Sequence, residues 1–442
     1  MVSKRLIIVG SIILGLVIIA LPLWFGQVWN FMWSCVATSR GAPISELTGP
    51  VSEVWVDTFG DQYQYCRALS LSVNNENVFV VGNNEEGLIV RKTSTSGKEV
   101  WTRRYKASAH AMTLDMQGNT YIAGTTRDEK GTGIIVNYDI DGNLIGVISE
   151  VSSVSSIGLD IDNNIYVTGS SGTEKYSQQG ALVWSNDISG FKLLVDVDNN
   201  VYVLQEQFIY QLDANGQINW EAPYGKGANQ KVKTADMVVD SDGAVYVTGR
   251  ISNSLHTEKS DSFGNLVWEA TYYSSQPVYN NANAITIDTV GNTYIAGESG
   301  GDYITIKYNS DGDEIWTAFY DGPRETEHRY DEQRDTKSYS YKEDVVLDVV
   351  ADESGNAYIT GNSEDDCATI KYSVTGSTEW IARYSGGITQ HQFNPANTSR
   401  FIDIDTNGAV YIAGDITAKS VWNVSSYNFY RDYIVIKYRN ED

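Results

Sequence analysis

Several short segments carry aspartate and asparagine at alternate positions, a spacing at which side-chain oxygens can bind calcium. They are Asp160-Ile-Asp162-Asn163, Asp196-Val-Asp198-Asn199 and Asp403-Ile-Asp405. An EF-hand loop also needs glycine at its sixth position and glutamate at its twelfth. The segment from Asp139 to Glu150 comes nearest to this pattern, but Leu144 occupies the glycine position. Since the same residue types cap tight turns, the segments favour turns, and we predict no metal site.

Nucleophilic and redox chemistry have equally few candidates. The four histidines, His110, His256, His328 and His391, form no metal-ligand pair, and we interpret them as surface residues in loops. The three cysteines show neither Cys-x-x-Cys nor haem-attachment spacing. Neither Gly-x-Ser-x-Gly nor His-Glu-x-x-His occurs. We therefore predict no cofactor and no catalytic residue, while a carboxylate pair assembled by the fold stays open as an alternative.

Charge and composition describe a globular chain that does not bind nucleic acid. The 442 residues include 32 Lys and Arg against 56 Asp and Glu, which gives a formal net charge of −24. A nucleic-acid partner requires concentrated positive charge, so this balance excludes it. Hydrophobic residues make up 42% of the chain, which is enough to bury a large core.

The N-terminus has the pattern of a membrane anchor. Leu6 to Phe25 holds twenty residues without a charge, directly after Lys4 and Arg5. This length crosses a bilayer as a helix, and the preceding basic pair favours a cytoplasmic N-terminus. We predict a transmembrane anchor over residues 1–37, a linker over 38–50 and a folded domain over 51–442. A signal peptide cleaved after Ala37 is the alternative.

A repeat of four short strands decides the fold. One unit runs from Ala284 through Gly297 to Tyr320. Its closing glycine recurs at positions 82, 124, 169, 249, 361 and 414, and Leu204 takes its place once. Each unit has four runs rich in Val, Ile, Thr and Tyr separated by Gly, Asn and Asp. Eight units of about 49 residues predict an all-β, eight-bladed β-propeller.

The two ends of the repeat predict how the ring closes. The eighth unit ends at Asp442, one strand short, while Trp55 and Phe59 repeat the spacing of four between Trp and Tyr found in outer strands. The N-terminal segment therefore supplies the missing outer strand, which removes the exposed sheet edges. We interpret the recurring tryptophans as residues that pack blade against blade.

The phrases Gly-Asn-x-Tyr-x-x-Gly, Ile-Lys-Tyr and Gly-x-x-x-Trp resemble the bacterial SBBP-type β-propeller repeats, and more distantly the PQQ-like repeats. The resemblance covers nearly all of residues 51–442. It implies a secreted or surface protein, because SBBP-type repeats are found in such proteins. PQQ-like rings include both quinoprotein dehydrogenases and enzymatically inert, membrane-anchored scaffolds of outer-membrane assembly. The dehydrogenases would bring adjacent cysteines near their cofactor. Cys35, Cys66 and Cys367 are far apart in sequence.

Three long insertions lie in blades six to eight, and loops of unusual length commonly carry binding residues. They span residues 321–344, 385–400 and 415–432. Their Arg, His and aromatic side chains favour a protein interface. The predicted partner-binding residues are Arg324, His328, Arg329, Tyr330, Arg334, Tyr339, Tyr341, His391, Phe393, Trp422, Tyr427, Phe429, Tyr430 and Arg431. Solvated insertions without a partner are the alternative.

Together these features predict a single-pass membrane protein with its propeller in the periplasm or outside the cell. We expect it to act as a protein-protein interaction scaffold or as an accessory subunit of a membrane or envelope complex. A secreted enzyme or glycan-binding module that uses the loop-rich face is the alternative function.

Overall fold

The computed structural model describes residues 44–59, 66–74, 76–225, 232–323, 327–331, 336–340, 344–385, 397–423 and 426–441. It describes the backbone alone for 44–45, 327–331, 336–340, 418–423 and 426–430. The predicted membrane segment, Leu6 to Phe25, lies outside these residues, as does most of the 1–50 region. Within the described ranges, no helix has the length and apolar character to cross a membrane.

The described residues form eight antiparallel sheets of four or five strands, or blades, and one separate two-stranded hairpin. We call the four strands of a blade a to d, from the innermost to the outermost. Two strands precede blade one, β1 (Ile44–Thr48) and β2 (Val51–Phe59). Blades one to four contain β3 (Arg67–Val73), β4 (Asn77–Asn83), β5 (Leu88–Ser94), β6 (Glu99–Tyr105); β7 (Ala107–Leu114), β8 (Thr120–Thr126), β9 (Gly133–Tyr138), β10 (Leu144–Val151); β11 (Ser156–Leu159), β12 (Ile165–Gly169), β13 (Gly172–Tyr176), β14 (Leu182–Asn186); and β15 (Lys192–Val195), β16 (Val201–Leu204), β17 (Phe208–Leu212), β18 (Ile218–Pro223).

The second half of the ring follows the same order, with one extra hairpin. Blades five to eight contain β19 (Val232–Val239), β20 (Val245–Ile251), β21 (Ser254–Ser260), β22 (Leu266–Tyr272); β23 (Asn280–Ile287), β24 (Thr293–Ser299), β25 (Asp302–Tyr308), β26 (Glu314–Tyr320); then the separate hairpin β27 (Glu327–Asp331) and β28 (Thr336–Ser340); β29 (Val345–Ala351), β30 (Ala357–Ser363), β31 (Asp366–Tyr372), β32 (Thr378–Ser385); and β33 (Thr398–Ile404), β34 (Val410–Asn423), β35 (Ser426–Asn440).

The ring closes through the N-terminal strand, as the sequence predicts. Strand β2 pairs with β35 and becomes strand d of blade eight, with Trp55 opposite Lys437 and Phe59 opposite Tyr433. Each innermost strand contacts the innermost strand of the next blade, and β33 of blade eight contacts β3 of blade one. The eight-bladed, all-β architecture is thereby confirmed.

Strand β1 is an element that the sequence did not predict, because residues 38–50 had the composition of a linker. It pairs with β32 as a fifth strand on the outer edge of blade seven, from Ile44 opposite Ser385 to Thr48 opposite Ile381. An outer strand leaves a row of unpaired main-chain groups. Strand β1 covers that row in blade seven.

The aspartate-rich turns are explained by hydrogen bonds inside each blade. In blade three, Asp160 Oδ2 accepts bonds from Asn164 Nδ2 at 2.9 Å and from Tyr166 Oη at 3.0 Å. The same tyrosine-to-aspartate bond recurs in the pairs Tyr121–Asp115, Tyr202–Asp196, Tyr246–Asp240, Tyr294–Asp288, Tyr358–Asp352 and Tyr411–Asp405. The aspartate therefore caps the a–b turn and fixes the tyrosine of strand b.

The outer-strand tryptophans join neighbouring blades, as predicted. Trp184 Nε1 donates to Ala214 O in the c–d turn of the next blade at 2.9 Å. A Cβ atom on Gly216 would lie 2.7 Å from Trp184 Cδ2, and Gly216 has a φ of +79°. Glycine is required there because the indole ring packs against the turn backbone.

The register corrects one detail of the repeat, since Gln205 rather than Leu204 takes the place of the closing glycine. Gly169 lies three residues after Tyr166, and Gln205 lies three residues after the equivalent Tyr202. A Cβ atom on Gly169 would lie 2.1 Å from Ser153 O, whereas Gln205 Nε2 donates to Ser189 O at 2.7 Å. Position 205 in blade four therefore has room for a side chain, whereas position 169 in blade three does not.

Candidate functional site

The ring has two different faces. We call the face formed by the a–b and c–d turns the turn face, and the opposite one, formed by the b–c and d–a connections, the loop face. The described strand ends that flank the three predicted insertions lie on the loop face of blades six to eight. Two of the insertions contain strands rather than loops alone, the hairpin β27–β28 and the extension of β34–β35 from Thr417 to Asn423 opposite Ser426 to Arg431.

The predicted partner-binding residues are distributed over these insertions. The strands hold His328, Arg329 and Tyr330 in β27, Tyr339 in β28, Trp422 in β34, and Tyr427, Phe429, Tyr430 and Arg431 in β35. The other five, Arg324, Arg334, Tyr341, His391 and Phe393, lie outside the described residues. The interface role of all fourteen remains a prediction.

Arg431 has a described side chain, and it lies at the base of the β34–β35 extension. Its Nη1 atom is 3.7 Å from Asp415 Oδ2, to which Arg400 Nε also donates at 2.9 Å. Asp415 is buried, and its Oδ1 accepts the main-chain N–H of Ala68 at 2.7 Å. These contacts tie the extension to blade one, so Arg431 has a structural role.

The turn face carries exposed apolar residues where turns are ordinarily polar. Met116, Ile161 and Val197 follow the turn aspartate in blades two, three and four, and they are 94%, 66% and 69% exposed. They line one depression of about 230 Å³. The corresponding residues of blades five to eight are Ser241, Thr289, Glu353 and Thr406.

One position on the outer rim of the turn face shows the same asymmetry, although the next residue of strand d is an exposed aliphatic residue in blades one, six and eight as well. The first residue of strand d, two positions before the tryptophan position, is an exposed aliphatic residue in blades two to five: Leu144, Leu182, Ile218 and Leu266. The equivalents in blades six, seven, eight and one are Glu314, Thr378, Glu53 and Glu99. We call the seven apolar residues of both sets the turn-face patch. Its three inner members line a common depression and form an exposed apolar cluster of the kind that marks interaction surfaces.

Three aspartates on the innermost strands connect adjacent blades. Asp236 Oδ2 accepts from Ile285 N at 3.1 Å, Asp348 Oδ2 from Ile402 N at 3.0 Å, and Asp403 Oδ2 from Val73 N at 2.8 Å. In each pair the donor belongs to strand a of the next blade. Innermost strands have one unpaired edge, and these carboxylates satisfy an N–H group on it.

Two of these aspartates, Asp348 and Asp403, have a raised pKa. Burial raises the pKa of Asp348 to about 7, with a further contribution from the negative charge of Asp236, while Lys192 opposes the increase. Lys192 forms an ion pair with Asp236. Burial raises the pKa of Asp403 to about 6. Since their oxygens accept main-chain bonds, these carboxylates have the geometry of blade connectors rather than of a catalytic pair.

His256 corrects the interpretation of the histidines as surface residues in loops, because it is 3% exposed on β21. Its Nε2 atom lies 2.9 Å from Glu258 Oε1 and its Nδ1 atom lies 2.7 Å from Thr271 Oγ1. Burial is tolerated because both ring nitrogens have partners. His256, Glu258 and Glu269 come close enough to hold a cation, as do Asp302, Asp321 and Asp344, but hydrogen bonds already engage the buried members of both groups.

This fold and these surfaces define the class of protein: an eight-bladed β-propeller closed by its N-terminal strand, built from PQQ-like repeats. The chain belongs to the PQQ_2 family, described as outer membrane protein assembly factor BamB, whose family model matches residues 173–424. The closer resemblance to SBBP-type repeats remains a prediction. No curated protein is significantly similar to the chain.

Solved structures are similar to this chain at low identity. The WD40 domain of Toxoplasma gondii coronin is 12% identical, with a TM-score of 0.42, over 82% of this chain and 92% of its own. The WD40 domain of Neurospora crassa Pan2 is 9% identical, with a TM-score of 0.43, over 79% and 96%. A Lactobacillus plantarum protein is 13% identical, with a TM-score of 0.45, over 73% and 99%.

Proposed function

We propose that this chain is a membrane-tethered scaffold whose propeller lies outside the cytoplasm and binds protein partners through the turn face. The turn-face patch is the observation that carries this proposal. Its members occupy equivalent positions in consecutive blades, and polar residues occupy those positions elsewhere in the ring. Exposed aliphatic side chains cost free energy in water, and a bound partner removes that cost.

Two further observations support the assembly role and the location. The matching family is described as an outer membrane protein assembly factor. The uncharged run from Leu6 to Phe25 after Lys4 and Arg5 has the length and flanking charge of an anchor with a cytoplasmic N-terminus. The loop-face residues of blades six to eight provide a second predicted interface.

Co-purification from native membranes in mild detergent tests the proposal. The test variant combines Met116→Asp, Ile161→Asp and Val197→Asp, which places three charges in the patch. The matched control combines Thr289→Asp, Thr378→Asp and Thr406→Asp, which adds the same charges in blades six to eight at positions equivalent to members of the patch. We expect the partners to be lost from the first variant and retained by the control.

Equal recovery of the partners by both variants and by the parent chain would contradict a turn-face interface. A third variant with shortened insertions 321–344, 385–400 and 415–432 tests the loop face in the same way. Thermal melting of each variant shows whether the propeller is intact, so a loss of partners can be separated from a loss of fold.

A further inference from the structure

A deep cleft lies on the turn face between blades four and five. It encloses about 630 Å³. Its walls combine the aromatic residues Tyr202, Trp220 and Phe263 with the carboxylates Asp196, Asp198 and Asp242. Aromatic faces and carboxylates are the groups that surround bound organic cations.

Other blades show what occupies the equivalent position. In blade three, Lys175 Nζ lies 4.7 Å from the centre of the Tyr166 ring, 3.3 Å from Asp160 Oδ2 and 3.5 Å from Ala214 O of the next blade. Five further lysines of strand c lie over the aromatic ring of strand b at 4.7 to 5.6 Å: Lys92, Lys259, Lys307, Lys371 and Lys437. An ammonium group over this ring is therefore a feature of the repeat.

Blade four lacks the lysine, as does blade two, where Asn137 takes its place. Gln211 lies opposite Tyr202 in the β16–β17 ladder, as Lys175 lies opposite Tyr166 in the β12–β13 ladder. Its Nε2 atom donates to Tyr202 Oη at 2.8 Å, and its Oε1 atom accepts from Asn219 Nδ2 at 3.1 Å. The neutral amide leaves the local carboxylates uncompensated: within the described part of the chain, no lysine or arginine pairs with Asp196.

We propose that this cleft binds a cation from outside the chain, a primary ammonium group on an unbranched aliphatic stem. The ammonium lies over the Tyr202 ring, pairs with Asp196 and donates to Ser262 O, the carbonyl that corresponds to Ala214 O. Ser262 O already accepts from Trp220 Nε1 at 2.9 Å, just as Ala214 O accepts from Trp184 Nε1. The stem packs between Trp220 and Phe263, and Asp198 and Asp242 attract the cation to the entrance.

Isothermal titration calorimetry on the full-length chain in mild detergent tests this site independently of the scaffold role. The probes are butylamine, a pentapeptide with one central lysine, and 1-butanol as the neutral control. We expect saturable binding of both cations and none of the alcohol. Comparable affinities for the two cations indicate a small amine as the ligand, whereas at least tenfold tighter binding of the peptide indicates a lysine of a protein partner.

Substitution of Gln211 tests whether the cation binds at the Tyr202 ring. Gln211→Lys restores the repeat's own ammonium, so we expect the variant to fold with an equal or higher melting temperature and to bind at least about tenfold more weakly. Gln211→Met, of similar length but neutral, should keep binding within about threefold, and Asp196→Asn should weaken it about tenfold. Unchanged binding by folded Gln211→Lys, equal binding of 1-butanol, or no saturation with either cation would overturn the proposal.

Discussion

Trp55 Nε1 donates to Thr95 O at 3.1 Å, and a Cβ atom on Gly97 would lie 2.8 Å from Trp55 Cγ. The outer-strand tryptophans of blade one and of blades three to six make the same contact with the c–d turn of the next blade. Here the tryptophan comes from the N-terminal strand β2. The contact therefore connects the last blade to the first. The stability of the ring depends on a segment that precedes the first complete blade.

We expect Trp55→Ala to lower the free energy of unfolding by about 2–4 kcal/mol, because it removes a large, partly buried contact and a hydrogen bond at the closure. Trp184→Ala is the matched control, since it removes the same contact between blades three and four. Denaturant unfolding should show a broader, less cooperative transition for Trp55→Ala than for Trp184→Ala. Identical transitions would show that closure adds nothing to the contact itself.

The two N-terminal strands, β1 and β2, should contribute differently to the stability of the propeller. Proline substitution in each strand measures that difference. Val56 lies opposite Ile436 within the closing strand, and Leu47 lies opposite Ala382 in the added strand β1. Proline removes a ladder hydrogen bond and fits poorly inside a sheet. We expect Val56→Pro to prevent soluble expression, because it exposes β35 as an edge, and Leu47→Pro to lower the melting temperature by only about 1–3 °C. The reverse order would contradict the closure.

The architecture could be predicted from the sequence because each blade repeats its own turn chemistry. Asp, Asn, Tyr, Gly and Trp recur at fixed offsets, and each offset corresponds to a local bond, such as Tyr166 Oη to Asp160 Oδ2. Closure was predictable for the same reason, since Trp55 and Phe59 keep the outer-strand spacing.

Features that depend on the assembled ring could not be predicted. Strand β1 forms because β32 has an open outer edge, which no local pattern in Ile44–Thr48 reveals. The burial of His256 depends on Glu258 and Thr271, which reach it through strand pairing. The turn-face patch had a signal, the apolar residue after the turn aspartate in three consecutive units, but its exposure required the ring geometry.

Whether the membrane-bound protein retains residues 1–37 tests the predicted anchor. Leu6 to Phe25 has no charge, so we expect the full-length protein to remain in the membrane pellet after carbonate extraction and its intact mass to include residues 1–37. Ile13→Arg with Val17→Arg should release it, because arginine at the centre of a spanning helix costs about 2.5–3.5 kcal/mol. Thr38→Arg with Ser39→Arg is the control and should stay in the pellet. A mass that begins at residue 38 would instead establish a cleaved signal peptide.

The raised pKa of Asp348 predicts how the free energy of unfolding depends on pH. Its pKa is about 7 in the folded protein, against about 3.9 for an unperturbed aspartate. The folded state therefore binds more protons than the unfolded state between these values, and the free energy of unfolding should fall as pH rises from about 4 to about 7. Asp348→Asn keeps an oxygen that accepts from Ile402 N but does not titrate, so the decrease should shrink by on the order of 2 kcal/mol.

Glu353→Gln, an exposed residue with the same change of charge, is the control for general electrostatics. Denaturant unfolding at pH 5 and pH 8 measures the difference, and an equal pH dependence in the parent chain and Asp348→Asn would show that the raised pKa of Asp348 does not contribute.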